Sequence, residues 1–251
     1  MNYILFSENE QFRAGAEMVR LEALKQNKQC EIIEIGSIAN ENNLKRFSDK
    51  PSLGYFLTND VSIPLYVEIL KRTGINIINK VFLSGNSQKF TLQQKVRGCG
   101  INIPKSVSMP NINQIDKLDL KYPLYIKSQK QGDLVIYNKD TKEFNKNILT
   151  INNITDYYLE EAVEAEDLTL RKFYFIKGSV VDMDMTDLGD IPEWFNTVLK
   201  NISQSLGLEV FSTDIFINLH SREYFCIDIN PASSFFKSKI AREEFVKNIL
   251  I

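Results

Sequence analysis

Near the N-terminus, "NYILFS" (2–7), an amphipathic run "RAGAEMVRLEALKQN" (13–27) and "CEIIEIG" (30–36) follow one another closely. An apolar strand, a segment of helical period and a second strand in this order form a crossover, so the two strands should lie parallel in one sheet. After a polar stretch rich in Asn and Lys, "SIPLYVEILKRTG" (62–74) has the period of a helix that stops at Gly74, and "INIIN" (75–79) returns to a strand. The alternation predicts a small α/β domain ending near residue 85.

The remainder mixes helices with hairpins. "SQKFTLQQKVRGCG" (87–100) is a helix with Ser87 as candidate N-cap and Gly98 and Gly100 near its end. "INIPKSV" (101–107), "YPLYIKS" (122–128), "DLVIYN" (133–138) and "DYYLEEAVE" (156–164) have strand character. "LRKFYFIKGSVVDMDM" (170–185) is a hairpin turning at Lys177-Gly178, and "PEWFNTVLKNISQSLG" (192–207) is an amphipathic helix closed by Gly207. A second hairpin spans "FSTDIFINLHSREYFCIDIN" (211–230), and the end, "FFKSKIAREEFVKNILI", is helical. The fold class is therefore α/β in its leading part and α+β beyond.

Composition narrows the chemistry. Charged residues make up 25% and the net charge is −2, so no electrostatic footprint for nucleic acid is present. No apolar run is long enough for a bilayer, and the N-terminus lacks a signal-peptide layout, so neither membrane nor export is expected. Cys30, Cys99 and Cys226 are widely spaced and odd in number, which points to a reducing compartment, the cytoplasm. His220 is the only histidine and lies between two strands, where an exposed turn residue is the expected role. Chemistry must then rest on carboxylates, lysines and arginines, with a hard cation such as Mg²⁺ as the natural partner.

Polar residues embedded in strands carry the functional signal. In "FCIDIN" (225–230), Asp228 and Asn230 are two residues apart and so share one strand face. Burying a carboxylate beside an amide is unfavourable unless something compensates both. Asp214 lies in the partner strand of the same hairpin, and the three together make an oxygen-only set suited to Mg²⁺. Singly, each residue is better explained as turn or strand-end punctuation; taken together, the three favour the metal. Lys127 ends an apolar strand, Lys89 lies in the first turn of a helix, and Arg171 opens the strand "FYFI". Alone, such cations are ordinarily solvated; aimed at one carboxylate-bound Mg²⁺, they are what a polyphosphate requires.

The order of these motifs from about residue 64 onward resembles the ATP-grasp superfamily, nearest to the RimK-like carboxylate–amine ligases. "GINIIN" matches the Gly, apolar residues and Asn that close the leading domain, and "SQKFTLQQKVRGCGINIPKSV" resembles the lysine-bearing helix and its following strand. The resemblance implies an ATP-grasp fold with a pre-ATP-grasp domain (1–85), a lysine and lid subdomain (86–158) and a C-terminal subdomain with the Mg site (159–251). It makes Lys89 and Lys127 nucleotide lysines. "LEEAV" becomes the adenine hinge through Glu160, Glu161 and Val163, Asp167 the ribose carboxylate, and Arg171 the phosphate-facing arginine. Asp214, Asp228 and Asn230 become the magnesium triad, with ATP and two Mg²⁺ ions as cofactors and Arg171 and Lys127 as catalytic groups.

The implied reaction phosphorylates a carboxylate to an acyl phosphate, from which an amine or hydroxyl, such as that of a peptide, displaces phosphate. A homodimer is compatible with this family, and Lys237 and Arg242 are candidates for holding the acid. Three departures stand out. Asp228 replaces the usual Glu, the loop 128–134 is shorter and poorer in glycine than the usual lid, and 182–192 is brief. In these respects the chain is similar to the compact peptide-modifying ligases. The alternatives are an ATP-grasp kinase-like phosphotransferase that stops after phosphorylation, and a nucleotide-binding scaffold without turnover.

Overall fold

The structure, a computed structural model, describes residues 2–8, 10–39, 44–47, 51–57, 63–80, 88–109, 118–129, 135–183, 191–231 and 234–250. The expected cap Ser87, the loop residues 130–134 and the segment 184–190 lie outside the described residues. The chain divides into two compact units. One comprises Met1–Asn86, Arg171–Thr213 and Asn230–Ile251; the other comprises Ser87–Leu170 and Asp214–Ile229.

The first unit opens with the expected crossover. Strand β1 (Asn2–Ser7), helix α1 (Glu10–Lys25) and strand β2 (Cys30–Glu34) are followed by β3 (Ser52–Leu57), helix α2 (Ile63–Arg72) and β4 (Ile75–Ile77). All four strands are parallel in the order β2-β1-β3-β4. Strand β1 is buried along nearly its whole length, as an inner parallel strand covered on both faces must be. Helix α1 turns Ala16, Val19 and Ala23 inward at helical spacing, and α2 does the same with Ile63, Val67 and Leu70.

Strand β3 was not foreseen, because Gly54 interrupts its apolar run. The glycine is sterically required. A Cβ there would lie 2.6 Å from the Phe6 ring and 2.9 Å from Ile77, so the strand packs only without a side chain.

The same unit holds most of β9 (Thr169–Ile176), with β10 (Ser179–Asp182), helix α5 (Glu193–Leu206) and the first residues of β11 (Val210–Asn218). Strands β9 and β10 form the expected hairpin around Lys177 and Gly178, both at positive φ. Gly207 ends α5 in the left-handed conformation, where its N–H donates to the Ser203 carbonyl. Near the C-terminus, helix α6 (Lys239–Asn248) brings Phe245 onto Phe235, with ring centroids 4.4 Å apart, and Tyr55 of β3 packs on both rings.

Asn79 joins two distant stretches of this unit. Its amide nitrogen donates to the Val210 carbonyl (2.6 Å) and the Pro231 carbonyl (3.0 Å), and its oxygen accepts from the Glu209 and Val210 amides. The residue sits at φ 60, a conformation Asn tolerates better than most residues. The closing Asn of "GINIIN" therefore has a structural task.

Buried Glu244 on α6 accepts from Lys247 (3.2 Å) and Asn248 (2.8 Å). Burial raises its pKa, but hydrogen bonds from Ser179, Lys247 and Asn248 outweigh burial and hold the carboxyl below its usual value. A depressed carboxylate stabilises the fold above its unfolded pKa of about 4.3, and that contribution is lost as pH falls through the folded value. Glu244→Gln should therefore lower the midpoint of thermal unfolding at neutral pH. The gap to the native sequence should close below about pH 4. A gap that persists on acidification would contradict this role.

The second unit is antiparallel. Helix α3 (Lys89–Gly98), β5 (Ser106–Ser108), β6 (Leu124–Ser128), β7 (Val135–Asn138), helix α4 (Thr141–Ile148) and β8 (Tyr157–Glu161) are joined by the last part of β11 and most of β12 (Glu223–Asn230). Strands β5 to β8 form a sheet in the order β5-β8-β6-β7; β11 and β12 belong to a sheet in the order β10-β9-β11-β12. Strand β5 is shorter than the predicted 101–107, because Pro104 has no N–H for a ladder and pairing begins only at Ser106. Helix α3 begins at Lys89 with Gln88 in the cap position, and Gln88 makes no side-chain cap bond.

Candidate functional site

Sheet register builds the wall of the site. Across β6 and β8, Tyr125 lies opposite Glu160 and Lys127 opposite Tyr158. Period-two geometry sends these four side chains to one face. Ile126 and Leu159 point the other way, into a core completed by Phe144 and Ile148 of α4. The apolar face thus anchors the sheet and leaves the polar face for chemistry.

A cavity of about 290 Å³ opens on that polar face, entirely within the second unit. Lys89 of α3, Lys127 of β6, Glu160 of β8, Asp214 of β11 and Asp228 of β12 all line it. Val163, Leu170 and Phe216 add apolar wall, and Tyr125 and Tyr158 add aromatic surface. The Lys89 ammonium lies 3.4 Å from Asp228 Oδ1, an oxygen that also accepts from the Ile229 amide.

Glu160 is only 1% exposed and forms an ion pair with Lys127. Lys127 Nζ also donates to the Ile227 carbonyl at 3.2 Å. Burial pushes the Glu160 carboxyl up, while Lys127 and a hydrogen bond from Gln93 pull the other way. Burial, with the charges of Glu160 and Asp228 nearby, likewise raises the Tyr158 phenol, which stays a neutral hydroxyl.

Seven of the expected residues therefore come together here: Lys89, Lys127, Glu160, Glu161, Val163, Asp214 and Asp228. Asp167 does not line this cavity. It lies in the turn before β9, where Asn218 donates to it at 3.4 Å. Arg171 and Asn230 belong to the first unit. There the Arg171 guanidinium is paired with buried Asp182 and lies 5.6 Å from the Phe173 ring centroid. Asn230 is the last residue of β12, two positions after Asp228.

His220 is exposed in the turn between β11 and β12, and Arg242 donates to the Phe236 carbonyl. Lys237 is exposed, and Cys30, Cys99 and Cys226 form no disulfide. Among the described residues no helix is long and apolar enough to cross a membrane. Gln93 and Tyr158 border the charged cluster but were not foreseen. A glutamine inside a helix and a tyrosine inside an apolar strand give no local sequence signal.

The donor set is chemically consistent with a nucleotide and a hard cation. Two ammonium groups suit phosphate oxygens, and two carboxylates suit Mg²⁺. The apolar and aromatic wall suits a planar base. Among the described residues no group of three or more His, Cys, Asp and Glu side chains is placed to hold a metal ion. The expected set differs in kind, being two carboxylates and the amide of Asn230.

No protein-family model matches the sequence, and no curated protein sequence matches it. Solved structures do. A RimK-domain ATP-grasp protein from Sphaerobacter thermophilus superposes with a TM-score of 0.72 at 10% identity, covering 99% of this chain and 100% of that one. The D-alanine–D-alanine ligase of Bacillus anthracis, complexed with ATP, gives 0.71 at 14% identity over 99% and 95%. The ATP-grasp ligase PsnB, complexed with a precursor variant, Mg and ADP, gives 0.72 at 10% identity over 98% and 96%. Agreement over nearly the whole length with three such structures shows that the chain has the ATP-grasp fold, with RimK-type and other ligases as its structural relatives.

Proposed function

We propose that the chain is an ATP-dependent ligase of the carboxylate–amine type that works with Mg²⁺. The observation that supports this most is the cavity joining Lys89 and Lys127 to Asp214 and Asp228. In this reading Lys89 and Lys127 neutralise phosphate oxygens, and the hinge at Glu160, Glu161 and Val163 holds the adenine. Asp167 takes the ribose, and Arg171 faces the transferred phosphoryl group. Asp214, Asp228 and Asn230 hold Mg²⁺, which when bound would spread the charge of the β- and γ-phosphates. The division into 1–85, 86–158 and 159–251 belongs to the same reading.

The reaction passes a phosphoryl group to a substrate carboxylate, and an amine then displaces phosphate from the acyl phosphate. Positioning and charge neutralisation carry such a transfer, so no histidine nucleophile is needed. A peptide acceptor is favoured by the likeness to PsnB, which has been solved with its precursor peptide. The reading places the protein in the cytoplasm, where ATP is supplied.

The test measures ATP binding with Mg²⁺, then ADP and phosphate release with candidate acids, with and without amines. A ligase releases free phosphate only when acid and amine are both present. ADP release with a stable phosphorylated acid would instead identify a phosphotransferase, and failure to bind ATP would remove the reading altogether.

A further inference from the structure

Gln93 lies one helical turn after Lys89 on α3, so the two side chains share a helix face. Gln93 is 3% exposed, and its amide nitrogen donates to Glu160 Oε2 at 2.7 Å. Contacts at 3.4 Å to the Tyr158 hydroxyl and the Ile227 carbonyl share the second amide hydrogen. The other Glu160 oxygen, Oε1, carries the ion pair to Lys127. The carboxylate is therefore gripped at both oxygens, by α3 on one side and β6 on the other.

Two details argue that Gln93 is more than packing. Rotating its amide would set Oε1 against the Glu160 carboxylate, so only the donor orientation is tolerable. In that orientation Oε1 is buried and has no hydrogen-bond partner among the described residues, an unfavourable state that an apolar side chain of similar volume would avoid. The arrangement accepts that burial to keep a donor on Glu160.

We infer that Gln93 is a positioning residue of the nucleotide cavity, whose amide sets the Glu160 carboxylate and through it holds Lys127 at the cavity wall. This inference rests on the ATP-binding reading proposed above. Among the described residues, the amide meets Glu160 and Tyr158 on β8; Lys127 on β6 and Asp228 and Cys226 on β12 act on those two groups, and Lys89 on α3 pairs with Asp228.

The test titrates ATP with Mg²⁺ into the native protein, Gln93→Met and Gln93→Glu. Methionine keeps the volume and removes the donor, and should weaken ATP binding roughly tenfold, the effect of one hydrogen bond to a charged group. Gln93→Glu should be weaker still at neutral pH, where two carboxylates meet. It should recover toward native affinity on acidification, as the introduced carboxyl takes a proton and becomes a donor again. A purely packing role would instead leave Gln93→Met, which keeps the volume, at native affinity.

If the native protein binds ATP and Gln93→Met binds it equally well, the inference fails while the ATP-binding reading stands. If the native protein binds no ATP, the reading itself fails. Should Gln93→Met not fold, Gln93→Leu, near in volume and likewise without a donor, carries the same test.

Discussion

Replacing Lys127 by methionine is expected to destabilise the protein by about 3 kcal/mol at neutral pH, the usual consequence of leaving one member of a buried ion pair alone. The pair is well shielded, with side chains 12% exposed for Lys127 and 1% for Glu160. The loss should depend on pH in a defined direction. Burial already raises the Glu160 carboxyl, and removing its cation raises it further. A raised carboxyl favours the folded state below the unfolded pKa, about 4.3, and that advantage fades as pH rises through the folded value. Denaturant midpoints of Lys127→Met should therefore approach those of the native protein on acidification and separate toward neutrality. Adding Glu160→Gln should recover most of the lost stability, since no buried charge is then left alone. A variant as stable as the native protein at neutral pH would contradict the buried-pair account. In the proposed function ATP binding should remain impaired in both variants, because the cation assigned there to phosphate is missing in each.

The second large effect concerns the fold. Asn79→Ala should cost about 3 kcal/mol of unfolding free energy, because several buried backbone groups lose their partner at once. The amides of Glu209 and Val210 and the carbonyls of Val210 and Pro231 all bond to that one side chain. Alanine is also less suited than Asn to φ 60. Asn79→Asp should be damaging too, since it keeps the acceptor but sets a carboxylate oxygen against two carbonyls. Urea unfolding of the three proteins checks this; a loss below about 1 kcal/mol for alanine would show that the backbone groups find other partners.

How much of this was legible in the sequence depends on whether the signal was local. The β9–β10 hairpin was, since Lys177-Gly178 is a turn dipeptide between apolar runs. So was the end of α5, where Gly207 takes the left-handed cap. Helix α4 was overlooked although its cap is local. Asp140 accepts from the amides of Lys142 and Glu143, and the Glu143 carboxylate accepts from the Lys139 amide. Strand β3 was hidden by Gly54, whose necessity appears only once Phe6 and Ile77 are in place.

The site divides in the same way. Asp228 was visible as a carboxylate out of place in an apolar strand, and its companions were assembled by motif order. The grip of Gln93 and Lys127 on Glu160 was invisible. It joins residues 33 and 67 positions apart in sequence, and only the register of β6 on β8 and the docking of α3 bring them together.

In the proposed function this cavity binds ATP through a magnesium ion held by carboxylates. Calorimetric titration of ATP into the native protein, with Mg²⁺ and with chelator, tests it most directly, alongside Asp214→Asn combined with Asp228→Asn. Binding should be saturable, depend on Mg²⁺ and fall at least tenfold in the double variant. ATP binding that is absent, or equally strong without magnesium and without both carboxylates, would contradict that reading.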